Sequence, residues 1–385
     1  MIKHIPFYLM LMLTIPAFGQ AQKRSLPINW KIAGALPPAQ GQSQALGVAG
    51  PVAGLHDDML LVAGGSNFPE GMPWLGGKKT YYSEGIVFRR DENSAVHSCK
   101  TFRLPFSLAY AASCSTPQGI VAAGGENGQG LSNKVILLQW QAADSTVVLR
   151  QLPELPFAVT NAALALHQNK LYLAGGERAT DVSNELLVLD LLDTAAGWKK
   201  LALLPRPVSH TVLVVQSNGK EDGLYLLGGR KRNPGDLSDL YSSVYRFDWQ
   251  KSEWAEESPL PYAMSAGTGV AAGSHAILLF GGDTGETFHK TEALIAAIGK
   301  ETSDDKKNQL TKEKMAVQSS HPGFCRQVLL YDTKMKKWMP QDCIPFAAPV
   351  TTTAVHWNNM VYLPGGEIKA GVRTPQILGA DVGGF

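Results

Sequence analysis

The chain of 385 residues sets 35 Lys and Arg against 33 Asp and Glu, and only 18% of it is charged. A net charge of +2 leaves no electrostatic footprint for nucleic acid or an anionic membrane, so neither partner is expected and the ligand is small or neutral. The length would hold two or three ordinary domains, but an internal repeat fills nearly all of it and predicts one closed body over 22–385.

The chain opens with Lys3 and His4, an apolar stretch over 5–18, and small residues at Ala17, Gly19 and Ala21. Together these predict a secretory signal peptide over 1–21 and a periplasmic protein. The stretch is too short to span a bilayer, no cysteine near the cleavage point suggests a lipid anchor, and no membrane insertion is expected.

Six apolar runs then end in Gly-Gly, with the first glycines at Gly64, Gly124, Gly175, Gly228, Gly281 and Gly365. Each run reads as a strand buried on both faces. The spacings are 60, 51, 53, 53 and 84 residues, a period near that of kelch-type propeller blades. A second repeat runs in phase: Leu36-Pro37, Leu104-Pro105, Leu155-Pro156, Leu204-Pro205, Leu260-Pro261 and Ile344-Pro345 each precede the next Gly-Gly by about one hairpin. The fold expected is all-β, a six-bladed kelch-type β-propeller.

The unit over 157–203 shows four strands most clearly: 158–166 innermost, then 170–174, 185–190 and, outermost, 198–203. Trp198, Trp254 and Trp338 recur at the start of the outer strand, and Trp30 holds the same place near the beginning of the chain. After Gly365-Gly366 only one further strand, 375–381, precedes the end. The sixth blade therefore lacks an outer strand, and 28–33 is expected to supply it, closing the ring.

Every segment after a Gly-Gly pair joins the second strand to the third, so all six such loops open on one face with the Leu-Pro crossovers. Loops on a rigid scaffold carry sites, so function is sought at this mouth. Three loops are long, 66–82, 230–241 and 283–324, and the last explains the outlying spacing. Its stretch 291–317 is rich in Ala, Leu, Glu and Lys, which predicts one or two short helices inserted over 284–323, either a lid or a passive insertion. Of the four cysteines, Cys325 and Cys343 flank a predicted hairpin and form the better disulfide pair; the alternative is that Cys99, Cys114, Cys325 and Cys343 are all inert thiols.

The most pointed segment is Gly366-Glu367-Ile368-Lys369-Ala370-Gly371-Val372-Arg373-Thr374. A carboxylate follows a buried strand, a Gly-containing turn folds back, and a guanidinium returns to the same space. Such a carboxylate suits acid/base work and such an arginine grips a substrate carboxylate, although a loop ion pair would read the same way. Asn67, Glu126, Arg206, Arg230 and Asp283 are further candidates at the mouth, with Asn67 and Arg230 foremost for substrate binding. The nine histidines show no metal-ligand spacing, and no metal or organic cofactor is expected.

The segment at 366–374 resembles the signature of the N-acetylneuraminate mutarotases, six-bladed kelch-type proteins of the bacterial periplasm. Gly64-Gly65-Ser66-Asn67-Phe68-Pro69, followed by Gly76-Gly77-Lys78-Lys79-Thr80-Tyr81, is similar to the loop that follows the Glu and Arg blade in that family. The helical insertion before that blade has its counterpart at 283–324. Here the Glu and Arg segment comes last and its companions first, the arrangement of the cyclically permuted mutarotase group. The resemblance implies exchange of the α and β anomers of N-acetylneuraminic (sialic) acid by acid/base-catalysed ring opening and closure, with Glu367 as catalytic base and Arg373 in substrate binding. Two alternatives stand beside it: a non-enzymatic propeller binding glycans or a protein partner, and a mutarotase for a different sugar. Asp283-Thr284-Gly285-Glu286-Thr287-Phe288 resembles part of a sialidase Asp-box, but it follows a second strand and no other blade repeats it, so sialidase activity is discounted.

Overall fold

A strand flanked by partners within its own sheet buries both faces only if other sheets cover it from either side, and the runs before Gly-Gly are covered in this way. In the computed structural model, which describes residues 28–38 and 41–384, six four-stranded antiparallel sheets form the blades of a propeller. In blade three, Leu171 and Leu173 pack toward blade two, while Tyr172 and Ala174 pack toward blade four. Six apolar clusters arise, one at each junction between neighbouring blades. The predicted signal peptide lies outside the described residues.

The ring closes as the chain ends require. Gln376–Asp381 pairs on one side with Met360–Pro364 and on the other with Asn29–Ala35, which becomes the outer strand of blade six. A bulge between Ile32 and Gly34 marks where Val96 of blade one presses so close that a Cβ on Gly34 would lie 2.6 Å from its carbonyl oxygen.

Both repeats have a mechanical meaning. Each Leu or Ile of the Leu-Pro pairs is buried and donates its backbone N–H across to the segment entering the third strand, as Leu155 does to Asn133 at 2.9 Å. Both glycines of every pair take positive φ, and in five of the six pairs the second donates across the blade boundary, as Gly176 does to the Val208 carbonyl at 2.8 Å. Gly-Gly is thus a stitch between blades.

Some boundaries shift. In blade three the inner strand is Ala163–His167, because Thr160 is taken by a bridge to Glu177 and Asn161 turns to φ 53°. The outer strand shrinks to Lys199–Lys200, although Trp198 still anchors it by donating to the Pro153 carbonyl at 2.9 Å. The insertion folds as α1 (Glu286–Lys300) and α2 (Asp304–Ser319), so the Asp-box-like stretch is a helix start whose Asp283 accepts the Gly285 N–H. The expected disulfide does not form. Cys343 sits opposite Gln327, two residues beyond Cys325, and all four cysteines are free.

Candidate active site

The mouth is built by one pattern used six times. The residue after each Gly-Gly pair, Ser66, Glu126, Glu177, Arg230, Asp283 or Glu367, is bridged to a crossover residue just before an inner strand. The next crossover residue, Gly50, Tyr110, Asn161, His210, Ala266 or Thr351, has left-handed backbone with φ between 52° and 64°. Each of these donates its N–H to the carbonyl of its counterpart in the preceding blade, at 2.7–3.0 Å, and the sixth bond returns to the first. A closed hydrogen-bonded ring surrounds the axis and holds a rim of polar side chains above it. Left-handed backbone at five non-glycine residues is strain that this ring fixes in place.

Above the ring lies a cavity of about 470 Å³ lined from all sides of the mouth. Its roof is the insertion. Glu292 of α1 accepts the backbone N–H and hydroxyl of Ser238 at 2.9 and 2.6 Å, and α2 lies against the Pro73–Leu75 turn of blade one. The insertion therefore ties together loops of blades four and one, and Phe288, Gln318, His321 and Phe324 face the cavity.

Glu367 and Arg373 are register partners on a two-stranded hairpin that continues beyond blade six. Arg373 Nη1 lies 3.2 Å from Glu367 Oε1, which also accepts the Gly371 N–H at 2.6 Å. Gly371, at φ 75°, makes the turn that brings the two together. Nη2 donates to the Tyr110 hydroxyl at 3.4 Å, and the guanidinium stacks 4.7 Å above the Phe68 ring. Its Nε is buried with no hydrogen-bond acceptor among the described residues, while Nη1 has the Glu367 carboxylate as its ion-pair partner.

Across the axis, on blades three and four, stands a second carboxylate and guanidinium. Arg230 Nη2 donates to Glu177 Oε1 at 3.3 Å, and its guanidinium stacks 4.6 Å from Phe288. His210 fits between them, Nε2 at 3.4 Å from Arg230 Nη2 and Nδ1 at 3.4 Å from Glu177 Oε1, which places its proton on Nδ1. Burial first, and the Arg230 charge second, hold this imidazole well below its ordinary pKa. At the junction of blades one and two, Tyr81 and Lys79 from the first blade's loop donate to Glu126 of the second at 2.7 and 3.2 Å. Burial, and then that hydrogen bond, raise Tyr81 to about 12.

Of the predicted residues, Glu126, Arg230, Asp283, Glu367 and Arg373 share the cavity and two do not. Asn67 alternates away from Ser66. Its amide is consumed by the Gly47 carbonyl at 2.8 Å and the Tyr82 hydroxyl at 2.7 Å, in a separate groove. Arg206 donates to Tyr245 at 2.7 Å, lies over Tyr241 and is absent from the lining. Tyr110, Glu177, His210 and His321 were not anticipated. Glu177 follows Gly-Gly and was reachable by the same rule; Tyr110 and His210 stand six residues after the Leu of a Leu-Pro pair, a register visible once the ring is known. His321 Nδ1 accepts the Gly323 N–H at 3.0 Å, so its proton is on Nε2. Burial lowers its pKa against the opposing pull of Asp283 and Glu367.

The buried neutral histidines predict a pH effect. The folded pKa of His210 lies below its unfolded value, so the unfolded chain binds the extra proton and stability falls as pH drops through the unfolded value near 6.5. The limiting slope is about 1.4 kcal/mol per pH unit per proton. Denaturant melts of wild type and His210→Asn between pH 5 and pH 7.5 are expected to show a shallower slope in the variant, since Asn161 shows that Asn accepts this backbone. Equal slopes would place the proton uptake elsewhere.

Residues 152–384 match the N-acetylneuraminate epimerase family. The chain is 25% identical over 248 residues to the N-acetylneuraminate epimerase of Brucella melitensis biotype 1, covering 63% of this chain and 61% of that protein. It is 27% identical over 232 residues to the one from Salmonella typhimurium, covering 60% and 58%, and 27% identical over 256 residues to the one from Yersinia pestis, covering 64% and 63%. The chain thus spans about 60% of the length of the curated relatives it matches. With well over half of its residues in the match, including Glu367 and Arg373, the chain belongs to the N-acetylneuraminate epimerase family.

Proposed function

We propose that this protein is a mutarotase that interconverts the α and β anomers of N-acetylneuraminic acid. The observation that carries this reading is the pairing of Arg373 with Glu367 in the wall of the cavity: Nη1 lies 3.2 Å from Glu367 Oε1, and Nε has no hydrogen-bond acceptor among the described residues. The substrate bears a carboxylate on its anomeric carbon. A carboxylate held by Arg373 sets the anomeric hydroxyl beside Glu367, and proton removal by that carboxylate opens the ring. Arg230, Glu177 and His210 across the axis offer donors and acceptors to the far end of the sugar. The relatives' name supports the substrate.

A circular permutation accounts for a linear match limited to 152–384 in a chain that forms six complete blades. A ring tolerates such a cut because each blade packs only on its neighbours. The amino-terminal sequence supports export to the periplasm, and no helix among the described residues is long and apolar enough to cross a membrane.

The test is direct. With α-N-acetylneuraminate freshly released, proton NMR is expected to show anomer exchange accelerated in proportion to protein concentration. No acceleration overturns the proposal. Equal acceleration of neutral aldoses would remove the carboxylate from recognition.

A further inference from the structure

Ring opening needs a proton donor as well as a base, and Glu367 fills only one of the two places. We infer that Tyr110 is the donor: its phenol protonates the ring oxygen while Glu367 takes the proton of the anomeric hydroxyl. This rests on the mutarotase reading and names the second half of its chemistry.

The phenol oxygen accepts twice, from Arg373 Nη2 at 3.4 Å and from the Ser66 hydroxyl at 3.1 Å. Among the described residues its own proton has no acceptor, and the side chain lines the cavity. The placement follows from the substrate's connectivity. The anomeric hydroxyl and the ring oxygen are both bonded to the carbon that bears the carboxylate. A carboxylate on Arg373 therefore brings both oxygens beside that guanidinium, and Glu367 and Tyr110 flank it through Nη1 and Nη2 respectively. The Lys79 ammonium stands 5.0 Å over the phenol ring, so two cations offset the charge left when the proton departs. His321 also presents an N–H at the cavity, but its ring hydrogen-bonds to the Gly323 N–H and not to Arg373.

The step balances. Glu367 takes the hydroxyl proton, the bond from the anomeric carbon to the ring oxygen breaks, its electron pair stays on that oxygen, and the oxygen takes the Tyr110 proton. A ketone and an open-chain hydroxyl remain. After rotation about the adjacent carbon–carbon bond the hydroxyl attacks the other carbonyl face, returning its proton to Tyr110 while Glu367 returns the other.

Tyr110→Phe keeps the ring and its packing, and a thermal melt close to wild type checks that the fold is intact. The expected result is a kcat lower by about 10²-fold with KM changed only a few-fold. Because both groups act in one step, Glu367→Gln with Tyr110→Phe should lose far less than the product of the single losses. A kcat near wild type overturns the assignment. So does a raised KM at unchanged kcat, which would mean that Tyr110 only positions Arg373, and so does a kcat loss in His321→Gln that Tyr110→Phe does not share. A wild type without mutarotase activity would instead remove the function itself, and this assignment with it.

Discussion

Glu367→Gln is expected to lower kcat for anomer exchange by about 10³- to 10⁴-fold, the upper part of the range for loss of a general base. The amide is nearly isosteric, and its oxygen can still accept the Gly371 N–H that Glu367 Oε1 accepts at 2.6 Å, so the turn carrying Arg373 is retained. What disappears is the proton acceptor. The variant also frees Arg373, whose Nη1 now lies 3.2 Å from a carboxylate that competes with the substrate's own, so KM should stay level or fall. Single-enzyme progress curves followed by NMR read both parameters. A kcat within tenfold of wild type would move the base elsewhere, with Glu177 and Glu126 next to test because each keeps a carboxylate in the same cavity.

Much of this geometry was legible in the sequence because it rests on periodic signals. Leu171-Tyr172-Leu173-Ala174 ahead of Gly175 is apolar on alternate positions toward both neighbouring blades, and only a sheet covered on both faces explains it. A strand alone before the first repeat and a blade one strand short at the end had a single joint solution, which the pairing of Asn29–Ala35 with Gln376–Asp381 realises. Glu367 and Arg373 stood out because a Gly-containing turn returns six residues on to the same place.

The residues that were missed are those whose position depends on alternation or on contacts between distant segments. Asn67 and Ser66 are adjacent, and a local pattern does not say which of the two faces the axis; the bridge of Ser66 to Ala49 decides it. Tyr110 is a chain neighbour of nothing else in the site. It arrives because its crossover belongs to the blade next to the one whose loop carries Ser66. The insertion was foreseen as helical, but its role as a roof comes from tertiary bonds such as Glu292 to Ser238, between segments 54 residues apart, which no spacing announces.

Gly175→Ala is expected to destabilise the protein by about 3 kcal/mol or more, enough to deplete the folded state of a marginally stable ring. The added Cβ would lie 2.0 Å from the Val208 carbonyl oxygen, a backbone atom of the next blade that also accepts the Gly176 N–H at 2.8 Å. Relief requires the two blades to part where they are stitched, so both the hydrogen bond and the apolar seam between blades three and four are weakened. Positive φ alone is not the cause, since Asn161 and His210 take similar backbone nearby. Gly235→Ala separates the two effects: its φ is 79°, yet a Cβ there meets nothing within 4 Å, and its cost should stay near the 1–2 kcal/mol of left-handed strain. Denaturant midpoints of both variants against wild type give the comparison. Equal losses would show that backbone strain, rather than contact between blades, is what the Gly-Gly repeat relieves.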